Sequence, residues 1–207
     1  MKKILISALA LAILTSCGSQ NANNQQNNEK NDSNSIVAQE KTTPDLEFCH
    51  VQGPVKKVHE EGNIYEFSKD GKLEKINNYD PFSAEYPKRV LEDDGTFVEY
   101  CGYKRNDKGE ICEENWVEGV VYYVWENGKN VADSGFVEGY EWQEEYEFDN
   151  EGRIATICKA SRTSEDETYF REENHFEYSN FDSHNNWTTR KDSKDQVEIS
   201  RTIEYWE

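Results

Sequence analysis

Within Tyr140–Phe148 the aromatic residues 140, 142, 146 and 148 are all even-numbered, and every odd-numbered position is polar. A helix would scatter these rings around its circumference, whereas a strand sends alternate side chains to opposite faces and gathers them on one. The carboxy-terminal run repeats the pattern, with Val197, Ile199, Ile203 and Tyr205 set against Glu198, Ser200, Thr202 and Glu204. No segment beyond the amino-terminal leader shows a convincing helical period. The expected fold is therefore all-β, an antiparallel meander of hairpins forming a twisted or curved sheet over residues 37–207.

Glycines punctuate this pattern at regular places. Tyr65–Leu73, Tyr103–Ile111 and Tyr146–Ile154 share one template: an aromatic, a strand residue two positions on, a polar turn, Gly, and an aliphatic two positions later. A type I turn closed by a left-handed residue explains the glycine, because that backbone geometry penalises a β-carbon. With this three-residue loop, Asp149 should face Arg153 and Phe148 should face Ile154. The stretch Tyr146-Glu147-Phe148-Asp149-Asn150-Glu151-Gly152-Arg153-Ile154 resembles the YD repeat of RHS-type proteins, whose repeats are β-hairpins laid side by side. The pattern's Asp is kept at Asp149 and replaced by Ser68 and Asn106, and three short matches imply hairpin geometry without the encapsulating role of those proteins.

Shorter turns fill the middle. Glu118-Gly119, Asn127-Gly128 and Glu138-Gly139 each fit a two-residue hairpin loop. Around Asn127-Gly128 this register sets Glu126 opposite Lys129 and Val124 opposite Val131. Trp116–Gly119 and Phe136–Gly139 are alike, as are Tyr123–Asn127 and Tyr146–Asn150, which suggests duplication of a two-hairpin unit.

The amino terminus carries an address. Met1-Lys2-Lys3 followed by a mostly apolar run from Ile4 to Leu14 has the layout of a secretory signal, and that run is too short to span a bilayer. It ends in Leu14-Thr15-Ser16-Cys17, which resembles the bacterial lipobox. That resemblance implies cleavage after residue 16, a diacylglycerol thioether on Cys17 and further acylation of the new amino end, a palmitate-type attachment that is effectively permanent. Gly18 after the cysteine, in place of Asp, favours the outer membrane. Residues 17–36 are then the lipidated cysteine and an Asn/Gln-rich linker with no large apolar residue before Ile36 to offset the entropy of ordering.

The remaining residues suit one domain. Apolar residues make up only 35% of the chain and aromatic residues 13%, so a core built largely from rings is expected. Removing Lys2 and Lys3 from the 23 basic residues leaves 21 against 42 acidic ones, a formal charge of −21. That sign disfavours nucleic acid and anionic lipid headgroups and suits a protein or glycan partner, above all a cationic one. An oxidising envelope permits disulfides among Cys49, Cys101, Cys112 and Cys158, which allow three complete pairings. The hairpin register sets Arg105 opposite Ile111, Lys104 opposite Cys112 and Cys101 opposite Asn115, so Cys101 and Cys112 should not be bonded to each other.

No catalytic, cofactor or metal motif emerges. His50, His59, His175 and His184 lack metal-ligand spacing, no nucleophile motif is present, and no acid/base pair can be chosen among 42 carboxylates without a fold. Asp182–Asn186 is oxygen-rich but lacks the spacing of a calcium loop. The aromatic stripe Trp116, Tyr123, Trp125, Tyr140 and Trp142 either packs the core or presents rings for stacking on a ligand. Tyr122 and Tyr123 are adjacent, so some rings must point to each face of the sheet. The expected function is non-catalytic binding at the cell envelope, with an envelope hydrolase or an acidic immunity or inhibitor protein as alternatives.

Overall fold

The computed structural model describes residues 42–207, so the expected signal, Cys17 and the expected linker lie outside the described residues. Thr43, whose side chain accepts from the Leu46 amide at 3.2 Å, caps α1 (Pro44–Phe48), the one helix among the described residues. One turn of helix is too short to show a period, which is why the sequence pattern misses it.

Strands β1 (Val55–Glu60), β2 (Asn63–Phe67) and β3 (Leu73–Ile76) form a first meander, and β4 (Lys88–Leu91) with β5 (Phe97–Tyr100) a separate hairpin. A long meander follows: β6 (Gly102–Arg105), β7 (Ile111–Trp116), β8 (Gly119–Glu126), β9 (Lys129–Val137), β10 (Tyr140–Phe148), β11 (Ile154–Thr163), β12 (Phe170–Phe181), β13 (Trp187–Asp192) and β14 (Glu198–Tyr205). Because β14 pairs with β1, all but the β4–β5 hairpin join one 12-stranded antiparallel sheet with β3 and β6 at its edges.

The two edges belong to one core. Leu73 and Ile76 of β3 cluster with Ile111 of β7, Val58 of β1 and Leu46 of α1, with Tyr103 of β6 packed alongside. The sheet therefore curls around α1, yet no ladder joins β3 to β6. Asp45 spans that seam. Its Oδ2 accepts from the Leu73 amide at 2.6 Å and from Arg105 Nη2 at 2.9 Å, while its Oδ1 accepts from Arg105 Nη1. A cavity of about 660 Å³ lined by Leu73, Glu74, Phe82, Tyr103 and Arg105 marks the unclosed seam.

A mostly aliphatic core contradicts the ring-built one expected from composition. Only Phe67 and Trp187 are buried rings, and Phe48, Tyr65, Tyr103, Tyr123 and Tyr205 form a half-buried sleeve around Leu46, Val55, Val58, Leu73 and Ile111. Tyrosines keep their hydroxyls near polar partners, which favours the border of a core over its centre.

The three templates fold alike. In each, the first turn residue donates its N–H to the carbonyl four residues on and accepts from the glycine N–H, at Ser68–Lys72, Asn106–Glu110 and Asp149–Arg153. Phe148 does face Ile154 and Arg105 does face Ile111. Beyond each aliphatic comes a bulge the sequence did not announce, at Glu74, Cys112 and Ala155. Lys104 therefore pairs with Glu113, not Cys112, and Gly102, not Cys101, sits opposite Asn115. The four described cysteines carry free thiols. A further bulge, at Val131, moves Val124 opposite Ala132 in place of Val131, although Glu126 does face Lys129.

Asn127-Gly128 and Glu138-Gly139 are two-residue loops with positive φ at both positions. The remaining loop is Val117-Glu118, since Gly119 already pairs with Trp116. A β-carbon at Gly119 would stand 2.3 Å from the Phe136 carbonyl oxygen, so this glycine serves close strand approach. The two halves of the suggested duplication thus turn at different places.

Candidate ligand-binding face

Tyr123 packs edge-on against Phe48 of α1, 5.0 Å between centroids, which fixes the inner face of the sheet as the one carrying the odd-numbered residues of β8. Cross-strand pairing then propagates that face. Trp116, Gly119, Val137 and Tyr140 form one row; Glu114, Val121, Gly135, Trp142, Ser161 and Phe170 form the next; Tyr123, Asp133, Glu144, Lys159 and Glu172 form a third. The five aromatic residues singled out by sequence share this face but not one environment.

Tyr123 and Trp125 are committed to packing. The Tyr123 hydroxyl donates to the buried Glu114, and Trp125 Nε1 donates to the Ile111 carbonyl at 2.7 Å. Trp116 is half-buried beside the Val117-Glu118 turn. Tyr140 and Trp142 form the accessible part, with Tyr140 38% exposed and the two rings stacked at 27° with centroids 5.8 Å apart. Trp142 is held flat by two constraints: its Nε1 donates to Asp133 Oδ1 at 2.8 Å, and a β-carbon at Gly135 would meet its ring at 2.4 Å. Beyond Ser161 the same row ends in Phe170, 67% exposed.

Beside these rings runs the charged row. Asp133 faces Glu144 across β9–β10, Glu144 faces Lys159 across β10–β11, and Lys159 faces Glu172 across β11–β12. Lys159 Nζ lies 3.0 Å from Glu144, and Lys194 binds Glu172. Like charges directly opposite on a sheet face are unfavourable. Burial pushes the Asp133 carboxyl up despite the donors Tyr146 and Trp142, and burial together with the Asp133 charge pushes Glu144 up. One row on, the Asn174 Oδ1 is buried without a hydrogen-bond partner. The face offers flat apolar rings next to acceptors with unused capacity.

Sequence reasoning found Tyr140 and Trp142 and missed Asp133, Glu144, Lys159 and Glu172, whose meeting depends on three strand registers. It also missed Asp45 and Arg201. Arg201 occupies the inner face of β14 between Ile199 and Ile203; its Nε donates to the Trp187 carbonyl at 2.7 Å and its Nη2 to the His50 carbonyl at 3.0 Å. Burial lowers its guanidinium to about 10, against the supporting charge of Glu60. Val197, expected beside Ile199 on that face, precedes the strand and is half-exposed.

Asp182 Oδ1 accepts from the His184 and Asn186 amides at 2.9 and 3.0 Å, the work of a turn. Among the described residues, no group of three or more His, Cys, Asp or Glu side chains is arranged to hold a metal ion, and no helix is long and apolar enough to cross a membrane. No protein-family model matches the chain, and a search of curated proteins finds no match.

Proposed function

We propose that this protein is an envelope lipoprotein, anchored through Cys17 to the outer membrane, that works by non-catalytic binding on the inner face of strands β9–β12. The observation that carries the reading is the Tyr140–Trp142 pair held rigid beside the Asp133, Glu144, Lys159, Glu172 row. Rings immobilised in advance cost little further entropy on binding, and acceptors beside them fix orientation. A glycan, with C–H faces for the rings and hydroxyls for the carboxylates, fits this chemistry, as does a peptide rich in donors. Kinship with YD-repeat proteins is proposed for the turn alone.

The test is a binding screen of soluble oligosaccharides and basic peptides against the full chain, with Trp142→Ala in parallel. A ligand whose affinity falls at least about tenfold in the variant supports the reading. Ligands that bind both proteins equally would remove the inner face from consideration.

A hydrolase is the second reading, favoured by the facing pair Asp133 and Glu144, two carboxyls raised by their surroundings beside a ring platform. Product release from a bound oligosaccharide, abolished by Glu144→Gln with binding retained, would establish it.

A further inference from the structure

The outer face of β8 and β9 departs from the rule that the solvated side of an antiparallel sheet is polar. Tyr122, Val124 and Phe136 are 48%, 46% and 43% exposed. Their cross-strand partners are small or apolar: Ser134 faces Tyr122, Ala132 faces Val124, and Val120 faces Phe136. The result is a shallow apolar floor two strands wide with rings standing on it.

Carboxylates flank it on both sides, and the side toward β10–β12 is the more acidic. On one side Glu113 faces Tyr122 and is paired with Lys104, its neighbour across β6–β7. On the other, Glu141 faces Phe136 and is held by Arg162, while Glu145 faces Ala132 and Glu173 continues the Glu145 row through Cys158. Burial and then the charges of Glu147, Glu173 and Glu145 push the Cys158 thiol up, a sign of the negative field over this flank.

We propose that this outer face is a docking surface for a cationic amphipathic protein segment, its apolar side chains seated on Tyr122, Val124 and Phe136 and its lysines or arginines over Glu145 and Glu173. Charge selects this occupant. A second copy related by two-fold symmetry would bring its own Glu145 and Glu173 to the same interface, and like charges there cost on the order of several kcal/mol. An anionic bilayer is excluded by the same sign. The surface is the reverse of the inner ligand-binding face and does not depend on it.

The experiment uses the full chain with a synthetic amphipathic Leu/Lys peptide and its Leu/Glu counterpart, followed by fluorescence anisotropy at low and high salt. The Leu/Lys peptide is expected to bind and the Leu/Glu peptide not to. Tyr122→Ser with Phe136→Ser should weaken binding at least about tenfold. Glu145→Lys with Glu173→Lys, which leaves the apolar floor intact, should weaken it similarly and flatten its salt dependence. Trp142→Ala should change nothing. Circular dichroism matching the parent shows that each variant is folded. The proposal is overturned if the Leu/Lys peptide does not bind, if either pair of outer-face variants leaves affinity unchanged, if Trp142→Ala abolishes binding, or if sedimentation shows a dimer that Phe136→Ser dissolves.

Discussion

The sheet is built in two styles. Where its edges curl around α1, the buried contacts are mostly aliphatic, and two of the charges inside, Asp45 and Arg201, are held by several partners each. Across β9–β12 the same inner face is ringed and charged, with two carboxylates side by side and an unpartnered amide oxygen. One backbone pattern supports both, so the strands specify a scaffold and the side chains of each region decide whether it serves stability or, as proposed for β9–β12, recognition. Local rules broken in the second region are what a functional surface leads one to expect.

The sharpest test of that division is Asp45→Ala. It removes the carboxylate that joins the Leu73 amide to Arg105 across the seam and leaves the guanidinium without a counter-charge, its remaining contacts being the Gly109 carbonyl and the Phe82 ring. Breaking a buried pair from one side costs roughly 3–5 kcal/mol. Urea unfolding should show a midpoint shift of that size, and a loss below about 1 kcal/mol would mean that the curled edges hold without their clasp.

His50 gives the next effect, and it carries a sign. Burial, helped by Arg201, Arg190 and Lys129, lowers this half-buried imidazole from 6.5 to about 4. The unfolded chain therefore binds the proton first, and stability should fall as pH drops from about 6.5 toward 4, by roughly 1–3 kcal/mol after solvent screening. Carboxyls raised by burial, Glu47 and Glu60 among them, act in the opposite direction near their own titration. His50→Asn isolates the histidine, since φ is 50° there and Asn tolerates that region. The variant should flatten the slope of stability against pH between 6.5 and 5, and an unchanged slope would assign the effect elsewhere.

Much of the scaffold was legible. Alternation named the strands, and the glycine of each template named its turn, because φ at Gly71, Gly109 and Gly152 lies between 74° and 84°. Two further turns of identical bonding, Glu92–Thr96 and Asp182–Asn186, escaped notice. The first lacks the flanking aromatic at its start, and the second has Asn185 where the template has glycine. The bulges at Cys112 and Val131 were invisible because a bulge is a backbone adjustment that leaves no residue signature in a polar strand. Asp45 and Arg201 looked like any of the chain's many charges until the curl of the sheet buried them. The row from Asp133 to Glu172 could not be read at all, since a shift of one residue in any pairing would send its members to the other face.

The turns themselves give a smaller effect. A β-carbon at Gly109 would meet nothing within 4 Å, and φ there is 82°, so Gly109→Ala isolates backbone strain from crowding. The expected cost is about 1–2 kcal/mol. Asn185→Gly, the reverse exchange in the equivalent position, should stay within about 0.5 kcal/mol. Equal losses from both would show that the two turns are not built on the same geometry.

The smallest effect separates the two regions most cleanly, because it should have the opposite sign. Glu144 faces Asp133, and its raised carboxyl means that charge on this residue works against the fold. A folded-state value above the unfolded one makes protonation stabilising, so the neutral isostere in Glu144→Gln should raise stability at neutral pH. Relief of a like-charge cross-strand pair amounts to roughly 0.2–1 kcal/mol, reduced by the loss of the Lys159 contact at 3.0 Å. Ligand affinity on the inner face should fall in the same variant. A residue that costs stability and supports binding is kept for the ligand, whereas Asp45 is kept for the fold. Thermal unfolding of Glu144→Gln that showed a drop of 2 °C or more, on the order of half a kcal/mol for a domain this size, would place Glu144 with Asp45 among the structural charges and erase the distinction.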